Sequence, residues 1–255
     1  MIRLISDLHL HPGQPAIAAG FLNYLERQAS QAEALYILGD FFEAWIGDDI
    51  LDIDVDHPQA LALAALARQV AERLRKLTKN STRLYLMHGN RDFLLGERFA
   101  EACGGTLLED PSLIHCDGQP LLLMHGDSLC TRDEAYMQFR AQARNPAWQQ
   151  QILAMPLEER LQLAQQLRNQ SGESNSNKPE DIMDVTEDEV RRTMVEHGVD
   201  ILIHGHTHRP AVHELQLDGK PAKRFVLGDW RPDQGWEILI ADGKAPRLQS
   251  FSLTV

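Results

Sequence analysis

The sequence predicts an α/β fold, because short apolar runs alternate with helical stretches and later give way to hairpin patterns. Five apolar runs each end directly before a polar or ionisable residue, as buried strands do. Pro15 to Gln28 and Gln59 to Leu77 separate the first three runs and read as amphipathic or Ala/Leu-rich helices. The predicted order is therefore β-α-β-α-β. The five runs are Ile2 to Ile5, Leu35 to Leu38, Leu84 to Met87, Leu121 to Met124 and Ile201 to Ile203.

Beyond His208 the pattern changes to short alternating runs, which predict antiparallel hairpins. The turn signals Asp218-Gly219 and Asp242-Gly243 lie between them. The four runs are His213 to Leu217, Lys223 to Leu227, Trp236 to Ala241 and Arg247 to Leu253.

Between Cys130 and His197 the strand signals stop, and apolar residues recur at helical spacing. We interpret residues 129–197 as a helical insertion into a core formed by residues 1–128 and 198–255. The Ser/Asn/Gly-rich segment Ser171 to Pro179 predicts a loop within the insertion. The helical residues are Tyr136, Phe139, Trp148, Ile152, Met155, Leu157, Leu161, Ala164 and Leu167.

Length and composition are those of a soluble globular protein with a sizeable core. The chain has 255 residues, 43% hydrophobic and 24% charged, which excludes a disordered chain or a coiled coil. The net charge of −12 argues against a bulk surface that binds nucleic acid or anionic lipid. Cys103, Cys116 and Cys130 form no CxxC pair, so we expect a reducing cytosol and no disulfide framework.

The N-terminal run contains Asp7 and His9 and lacks a basic segment before it, so no signal peptide is expected. The longest apolar run, Ala60 to Ala67, is far shorter than the ~20 residues that cross a bilayer. Any membrane contact is therefore expected to be peripheral.

The residues at the ends of the five strands include carboxylates, imidazoles and an amide. This mixture suits two divalent transition ions, and Asp40 is placed to bridge them. On a strand, the spacing of Asp7 and His9 directs both side chains to one face. Each residue alone is more often a surface or satisfied core residue, but their joint position favours a dimetal site. The seven candidate ligands are Asp7, His9, Asp40, Asn90, His125, His206 and His208.

Five sequence blocks carry a resemblance to the calcineurin-like metallophosphoesterases. That resemblance implies a four-layer α-β-β-α sandwich, with the insertion as a lid. It also implies one ion on Asp7, His9, Asp40 and His208, and another on Asp40, Asn90, His125 and His206. The blocks are Asp7-Leu8-His9, Gly39-Asp40, Gly89-Asn90-Arg91-Asp92, His125-Gly126-Asp127 and Gly205-His206-Thr207-His208.

The third block departs from most of that family, which has a histidine where this chain has Arg91. A guanidinium stays charged and forms bidentate hydrogen bonds with phosphate. It can therefore stabilise negative charge that develops on the phosphate, but it is not an ordinary proton donor. It suits a leaving group that needs no protonation, such as the phosphate monoester released from a pyrophosphate.

The extended blocks around Gly39, Gly89, His125 and His204 are similar to those of the UDP-2,3-diacylglucosamine pyrophosphatases of lipid A biosynthesis. This resemblance implies hydrolysis of UDP-2,3-diacylglucosamine to 2,3-diacylglucosamine 1-phosphate (lipid X) and UMP. It implies two Mn²⁺ per chain, with a metal-activated water attacking the UMP-side phosphorus. It also implies peripheral attachment to the cytoplasmic face of the inner membrane. Neither nucleic acid nor an obligate protein partner is expected.

The same resemblance assigns substrate contacts. Asn90, Arg91 and His206 meet the phosphate and form the catalytic set. Asp133, Ser171, Asn175 and Lys178 of the insertion meet the glucosamine, acyl or phosphate groups; for the last three, an ordinary polar loop is the alternative.

Two features of the insertion stay open at this point. Its apolar faces form the core of a small bundle, which is the default, or the wall of an acyl-chain groove, and both can hold together. Its arginines either attract anionic headgroups or are solvated helix positions. The apolar residues are Phe139, Trp148, Ile152, Leu153, Met155 and Leu161, and the arginines are Arg132, Arg140, Arg144, Arg160 and Arg168.

Two other functions compete with the lipid pyrophosphatase. A soluble phosphodiesterase or nucleotide pyrophosphatase of the same core predicts a histidine at position 91 and no lipid-sized insertion. A non-catalytic scaffold predicts eroded ligands, whereas all seven candidates are present.

Overall fold

In a computed structural model, which describes residues 1–53, 57–176 and 184–253, two β-sheets lie face to face between layers of helices. The strands are β1 Ile2–Ile5, β2 Ala34–Leu38, β3 Arg83–Met87, β4 Thr106–Leu108, β5 Ser112–Cys116, β6 Gln119–Leu123, β7 Ile201–His204, β8 Ala211–Leu217, β9 Lys220–Val226, β10 Gln234–Ile240 and β11 Arg247–Ser252. The α-helices are α1 Pro15–Arg27, α2 Pro58–Lys79, α3 Glu97–Cys103, α4 Glu134–Ala143, α5 Pro146–Leu153, α6 Leu157–Ser176 and α7 Glu187–Glu196.

The first sheet has the strand order β11-β10-β1-β2-β3-β4. Strands β1 to β4 are parallel, with Ile2 opposite Ala34 and Ala34 opposite Arg83. Strands β10 and β11 extend the sheet in antiparallel fashion beyond β1. All five residues of β2 are buried, as expected for a central parallel strand that is covered on both faces.

The second sheet has the order β5-β6-β7-β9-β8, in which β6, β7 and β9 are parallel. The predicted hairpin between β8 and β9 is confirmed, since Ala211 pairs with Val226 and Leu217 with Lys220. Its turn residues have positive φ angles, +48° at Asp218 and +80° at Gly219, as a two-residue hairpin turn requires.

Apolar side chains of both sheets form a core between them. Because side chains alternate along a strand, Tyr36 and Leu38 of β2 face this core while Leu35 and Ile37 face the helices. The buried members are Leu4, Ala34, Tyr36, Leu38, Met87, Leu121, Leu123, Ile201, Ile203, Phe225, Leu227, Ile238 and Ile240.

Helices cover the outer face of each sheet and complete the predicted four-layer α-β-β-α sandwich. On the first sheet, Phe21 of α1, Leu74 of α2 and Phe99 of α3 are fully buried in one apolar cluster. On the second sheet, Val190 and Met194 of α7 are buried against strand residues. The carboxyl ends of the parallel strands of both sheets carry the candidate ligands.

Helices α4, α5 and α6 pack on the helical side of the first sheet. Ile152 is buried there, and Phe139, Trp148 and Leu161 are partly buried against the same cluster. These residues therefore do belong to a core, whereas Leu153 and Met155 are exposed. Helix α7 packs on the second sheet, so packing alone favours ending the insertion before it; the division at residues 129 and 197 stays a prediction.

The loop predicted over Ser171 to Pro179 is wrong in its first part, because α6 continues through Ser176. Adding a residue to an existing helix costs little compared with starting one, and no proline interrupts the chain before Pro179. The α6 helix therefore extends over Ser, Asn and Gly residues of modest helix propensity. Residues 177–183 lie outside the described residues.

A buried ion pair fastens β1 to β10. The Glu237 carboxylate is fully buried and accepts hydrogen bonds from Arg3 Nη1 at 2.7 and 2.6 Å and from the Tyr24 hydroxyl at 2.9 Å. Gln249 of β11 also donates to Glu237, at 2.5 Å. This carboxylate therefore depends on three neighbouring elements for its charge compensation.

We expect Arg3→Ala to lower the free energy of unfolding by about 3 to 5 kcal/mol, because it leaves the Glu237 carboxylate buried without its cation. The matched control is Arg83→Ala, which removes an ion pair with Glu33 whose side chains are 57% and 60% exposed. That change should cost less than about 1 kcal/mol. Denaturant unfolding of both variants measures the difference, and equal losses would contradict a structural role for the buried pair.

Candidate metal centre and substrate cleft

Both sheets contribute to one cluster of ligand-type side chains. Asp7 and His9 follow β1, Asp40 follows β2 and Asn90 follows β3 of the first sheet; the remaining candidates follow β6 and β7 of the second. The structure therefore brings all seven candidates to one edge of the sandwich. The three from the second sheet are His125, His206 and His208.

The donor atoms form two groups. In one, Asp7, His9 and His208 place one donor atom each within 4.8 Å of the others. His208 Nε2 lies 3.3 Å from Asp7 Oδ1 and 3.2 Å from His9 Nε2. Two imidazole nitrogens and a carboxylate that converge in this way form a donor set of the kind that binds a divalent transition ion.

The second group contains Asp40, His125 and His206, again within 4.8 Å of one another. Asn90 joins them, since its Oδ1 lies 3.0 Å from His125 Nε2 and 2.9 Å from His206 Nδ1. His125 itself is fixed by a contact of 2.9 Å between its Nδ1 and the Leu38 carbonyl oxygen, which leaves Nε2 for the cleft.

Asp40 lies between the two groups. Its Oδ2 is 3.8 Å from His9 Nε2, and its Oδ1 is 3.7 Å from His125 Nε2. One carboxylate therefore turns one oxygen towards each set of donors, which is the arrangement of a bridging ligand. The seven residues fit two divalent ions in chemistry and in grouping.

Carboxylates at the site raise the pKa of His9, His125 and His208, whereas burial and the neighbouring His125 lower the pKa of His206 to about 4. Burial disfavours charge on His9, but Glu43 at 2.9 Å and the carboxylates of Asp40 and Asp7 outweigh it and raise the pKa of His9 to about 9. Burial likewise opposes charge on His125, yet Asp40, Asp127 and Asp7 raise its pKa to about 9. The field of these carboxylates therefore favours cations.

The backbone at the candidate ligands is unusual. Asp7, His9, Asp40, His206 and His208 all have φ between +49° and +68°, a region that costs non-glycine residues of the order of 1 to 3 kcal/mol each. The prediction that strand alternation directs the side chains of Asp7 and His9 to one face is therefore wrong, although both side chains do reach the same cleft. Strand β1 ends at Ile5, and left-handed turns direct both side chains into the cleft.

Two glycines allow close contact between the turns that carry the candidate ligands. A Cβ on Gly89 would collide with the backbone nitrogen and Oδ1 of Asp40, and one on Gly205 would collide with Asp7 Oδ2. The Asp92 carboxylate stabilises the contact between the turns of Gly89 and Asp40. It accepts hydrogen bonds from the backbone N–H groups of Gly89 and Phe41 at 2.7 Å each. Asp40 consequently reaches its position only because residue 89 lacks a side chain.

Sequence reasoning gave no role to Asp127, yet it connects the insertion to the site. The buried Asp127 Oδ2 accepts hydrogen bonds from the Tyr136 hydroxyl at 2.8 Å and from Arg140 Nε at 2.9 Å. Arg144 Nη2 donates to the Gly89 carbonyl at 3.1 Å. Helix α4 therefore holds the turn after β6 and the turn after β3 together. The signal was in the His125-Gly126-Asp127 block, but its pairing with Tyr136 and Arg140 depends on how α4 packs against the turn after β6.

Glu43 is a second residue that the sequence did not single out. Its Oε2 lies 2.9 Å from His9 Nδ1, and its Oε1 lies 3.2 Å from Arg168 Nε on α6. Glu43 therefore orients the His9 ring and links it to the insertion.

Two concave spaces meet at the centre. The metal cleft has a volume of about 210 Å³ and contains His9, Asp40 and His208. An apolar groove of about 240 Å³ runs between the core and the insertion, along Phe93, Leu94, Phe139 and Ile152. The residues that border both spaces are Asn90, Arg91 and Tyr136.

The structure places four of the predicted substrate contacts at the metal cleft and does not describe the side chains of the other three. Asn90, Arg91, His206 and the buried Asp133 line the metal cleft, and Asp133 Oδ1 also accepts the Tyr136 backbone N–H at 3.1 Å as the cap of α4. Ser171 and Asn175 lie on α6, where the structure describes only the backbone, and Lys178 lies outside the described residues.

Comparison with known proteins gives a consistent relationship. A family model described as calcineurin-like phosphoesterase matches residues 1–210. A UDP-2,3-diacylglucosamine hydrolase of Chromohalobacter salexigens is 61% identical over 249 residues, covering 98% of this chain and 96% of the relative. Proteins of the same name from Azotobacter vinelandii (53% identical, 98% of each chain) and Pseudomonas aeruginosa (52% identical, 99% of each chain) also match.

We expect Gly89→Ala to lower the amount of divalent metal that the protein retains, because the added methyl group displaces Asp40. The matched control is Gly198→Ala, which adds the same group in open space at a φ of +64° and should lose some stability but no metal. Elemental analysis after dialysis, together with thermal unfolding, measures both. Full metal content in Gly89→Ala would contradict the packing of the two turns as a requirement for the site.

Proposed function

The chain belongs to the UDP-2,3-diacylglucosamine hydrolases of the calcineurin-like phosphoesterase family, and on that premise we propose that it cleaves the pyrophosphate of UDP-2,3-diacylglucosamine. The products are 2,3-diacylglucosamine 1-phosphate (lipid X) and UMP. One observation of this chain carries the proposal: the apolar groove opens into the metal cleft at Asn90 and Arg91. A substrate with acyl chains at one end and a pyrophosphate at the other fits such a pair of spaces.

The proposed cofactor is two Mn²⁺ per chain. Asp7, His9, Asp40 and His208 would hold one ion, and Asp40, Asn90, His125 and His206 would hold the other. When bound, the two ions supply a water of lowered pKa and positive charge against the phosphate oxygens. The grouping of the donors and the two-sided position of Asp40 support this assignment.

In the proposed reaction the water attacks the phosphorus on the UMP side. A new P–O bond forms as the anhydride P–O bond breaks, and the diacylglucosamine phosphate leaves as an anion that needs no proton. Asn90, Arg91 and His206 contact the phosphate. The backbone N–H of Arg91 donates to Asp40 Oδ1 at 2.8 Å, which fixes the start of this side chain beside the cleft. Its guanidinium then stabilises the negative charge that develops.

The insertion of residues 129–197 acts in this proposal as a lid over the acyl chains. The groove wall combines Phe93 and Leu94 of the core with Phe139, Ile152 and Leu163 of the insertion. Asp133, Ser171, Asn175 and Lys178 are the proposed contacts of the glucosamine, acyl or phosphate groups. Asp133 is well placed for this, because it lines the metal cleft at the start of α4.

We further propose that the enzyme works at the cytoplasmic face of the inner membrane, where a diacylated sugar nucleotide resides by its acyl chains. Within the described residues, none of the helices combines the length and apolarity that crossing a membrane requires. Attachment in this proposal is therefore peripheral.

The first test measures UMP release by the Mn²⁺-loaded protein. We expect fast release from UDP-2,3-diacylglucosamine and little from a water-soluble nucleotide diphosphate sugar that lacks acyl chains. Equal rates would support a soluble nucleotide pyrophosphatase instead and would remove the acyl-binding role of the groove. The absence of turnover together with a failure to bind two metal equivalents would favour a non-catalytic scaffold.

The second test concerns Arg91. We expect Arg91→Ala to lower kcat by about 100- to 1000-fold with a smaller change in KM, because the guanidinium acts on charge that develops during the reaction. Arg91→Lys keeps the charge without the bidentate geometry and should recover only part of the loss. His125→Ala is the contrasting variant, since it should lose metal as well as turnover. An effect of Arg91→Ala on KM alone would contradict the proposed role.

A further inference from the structure

The outer face of α2 carries a concentration of positive charge in a chain whose net charge is −12. Together with one residue of α3, its basic side chains line a shallow groove that includes two acidic residues, Asp52 and Glu72. We call this surface the α2 basic face. Its basic members are Arg68, Arg75, Lys76, Lys79 and Arg98.

Three of these cations lack an acidic partner in the described part of the chain. Two other arginines at or beside this surface are paired, Arg73 with Glu26 and Arg98 with Asp52. Arg75, Lys76 and Lys79 are exposed and form no ion pair within residues 1–53, 57–176 and 184–253. Their charge is therefore available to a ligand outside the molecule.

An exposed apolar turn lies near the same surface. Leu153, the last residue of α5, is 43% exposed, and Met155 in the connection to α6 is 36% exposed. We call these two residues the apolar tip. The neighbouring Ile152 is buried and lines the apolar groove, so the tip adjoins a residue of the groove wall along the chain.

A short 3-10 helix, Asp48–Asp52, connects the apolar tip with the α2 basic face. At its start, Arg160 of α6 forms a salt bridge of 2.5 Å with Asp49, and a Cβ on Gly47 would lie 2.8 Å from Leu153 Cδ2. At its end, Arg68 donates to the carbonyl oxygens of Leu51 and Ile53 at 2.7 Å each. The tip and the basic face therefore adjoin opposite ends of a five-residue segment.

We propose that the α2 basic face and the apolar tip form a single docking surface for a bilayer that contains anionic lipid. Lys and Arg next to an anionic surface attract it, and the negative charge on the rest of the chain orients this face towards it. The tip enters the interface beside the groove. This inference rests on the proposed function, because a lipid substrate would enter the groove from a membrane.

Vesicle binding tests the surface without using activity. Wild-type protein is sedimented with phosphatidylcholine vesicles and with vesicles in which one third of the lipid is phosphatidylglycerol. We expect binding to the anionic vesicles only and a steep decrease with salt. The triple variant R75E/K76E/K79E should weaken binding by about 100-fold, since each cation contributes several-fold. The double variant L153Q/M155Q should weaken it by a smaller factor.

The matched control is K220E/K244E/R247E, which makes the same change in net charge at exposed positions of other elements. We expect it to bind the anionic vesicles nearly as well as the wild type. An equal loss in both triple variants would overturn the proposal, because it would show that only net charge matters. Wild-type binding that is independent of lipid charge would overturn it as well.

A separate assay keeps this inference apart from the proposed function. With substrate dispersed in a non-ionic detergent, R75E/K76E/K79E should release UMP at the wild-type rate, because the three side chains lie outside both the metal cleft and the apolar groove. If the wild type releases no UMP at all, the proposed function fails whatever the vesicles show. If release is normal but the vesicles discriminate nothing, only the docking surface fails.

Discussion

The architecture of the site depends on one contact, the burial of the Asp40 carboxylate against a turn that has no side chain at residue 89. A carboxylate with 2% of its residue surface exposed is stable only where opposite charge or hydrogen-bond donors surround it. Here the backbone of Arg91 donates to one oxygen, while imidazoles approach both. The left-handed backbone at Asp40, the glycine at position 89 and the Asp92 hydrogen bonds all serve to hold that carboxylate between the two sets of donors.

The sandwich explains why strain is tolerated at so many ligands. Each candidate ligand follows a strand that is itself buried between a second sheet and a helical layer, so the chain enters each turn from a fixed direction. The cost of positive φ at five positions is then offset by packing that lies elsewhere. The site combines rigid strands with turns whose conformation the neighbouring turns determine.

The succession of the main strands and helices along the chain, the hairpins and the collection of polar residues at the strand ends were predictable from local pattern. Tyr36 and Leu38 belong to a run that is apolar throughout, and such a run predicts a buried strand in any context. The conformation of Asp7 and His9 was not predictable, because the left-handed turn depends on contacts with Gly205 and His206 about two hundred residues away. Asp127 was missed for a different reason: its partners on α4 are near in sequence, but local pattern does not show how α4 packs against the turn after β6. The continuation of α6 through Ser171 was missed because residue composition does not reveal how far a helix propagates once it has formed.

The polar contacts of α4 and α6 have a consequence for exchanging the insertion between this chain and other phosphoesterases. Arg144 donates a hydrogen bond to the Gly89 carbonyl oxygen, and Tyr136 and Arg140 donate hydrogen bonds to Asp127. Arg168 on α6 forms a salt bridge with Glu43. Residues 129–197 therefore depend on matching residues of the core that they contact. We expect a chimera that exchanged only residues 129–197 to bring in arginines without the carboxylates at positions 43 and 127 that pair with them here. These helices and the turns that they contact therefore form one structural unit, although the sequence separates them.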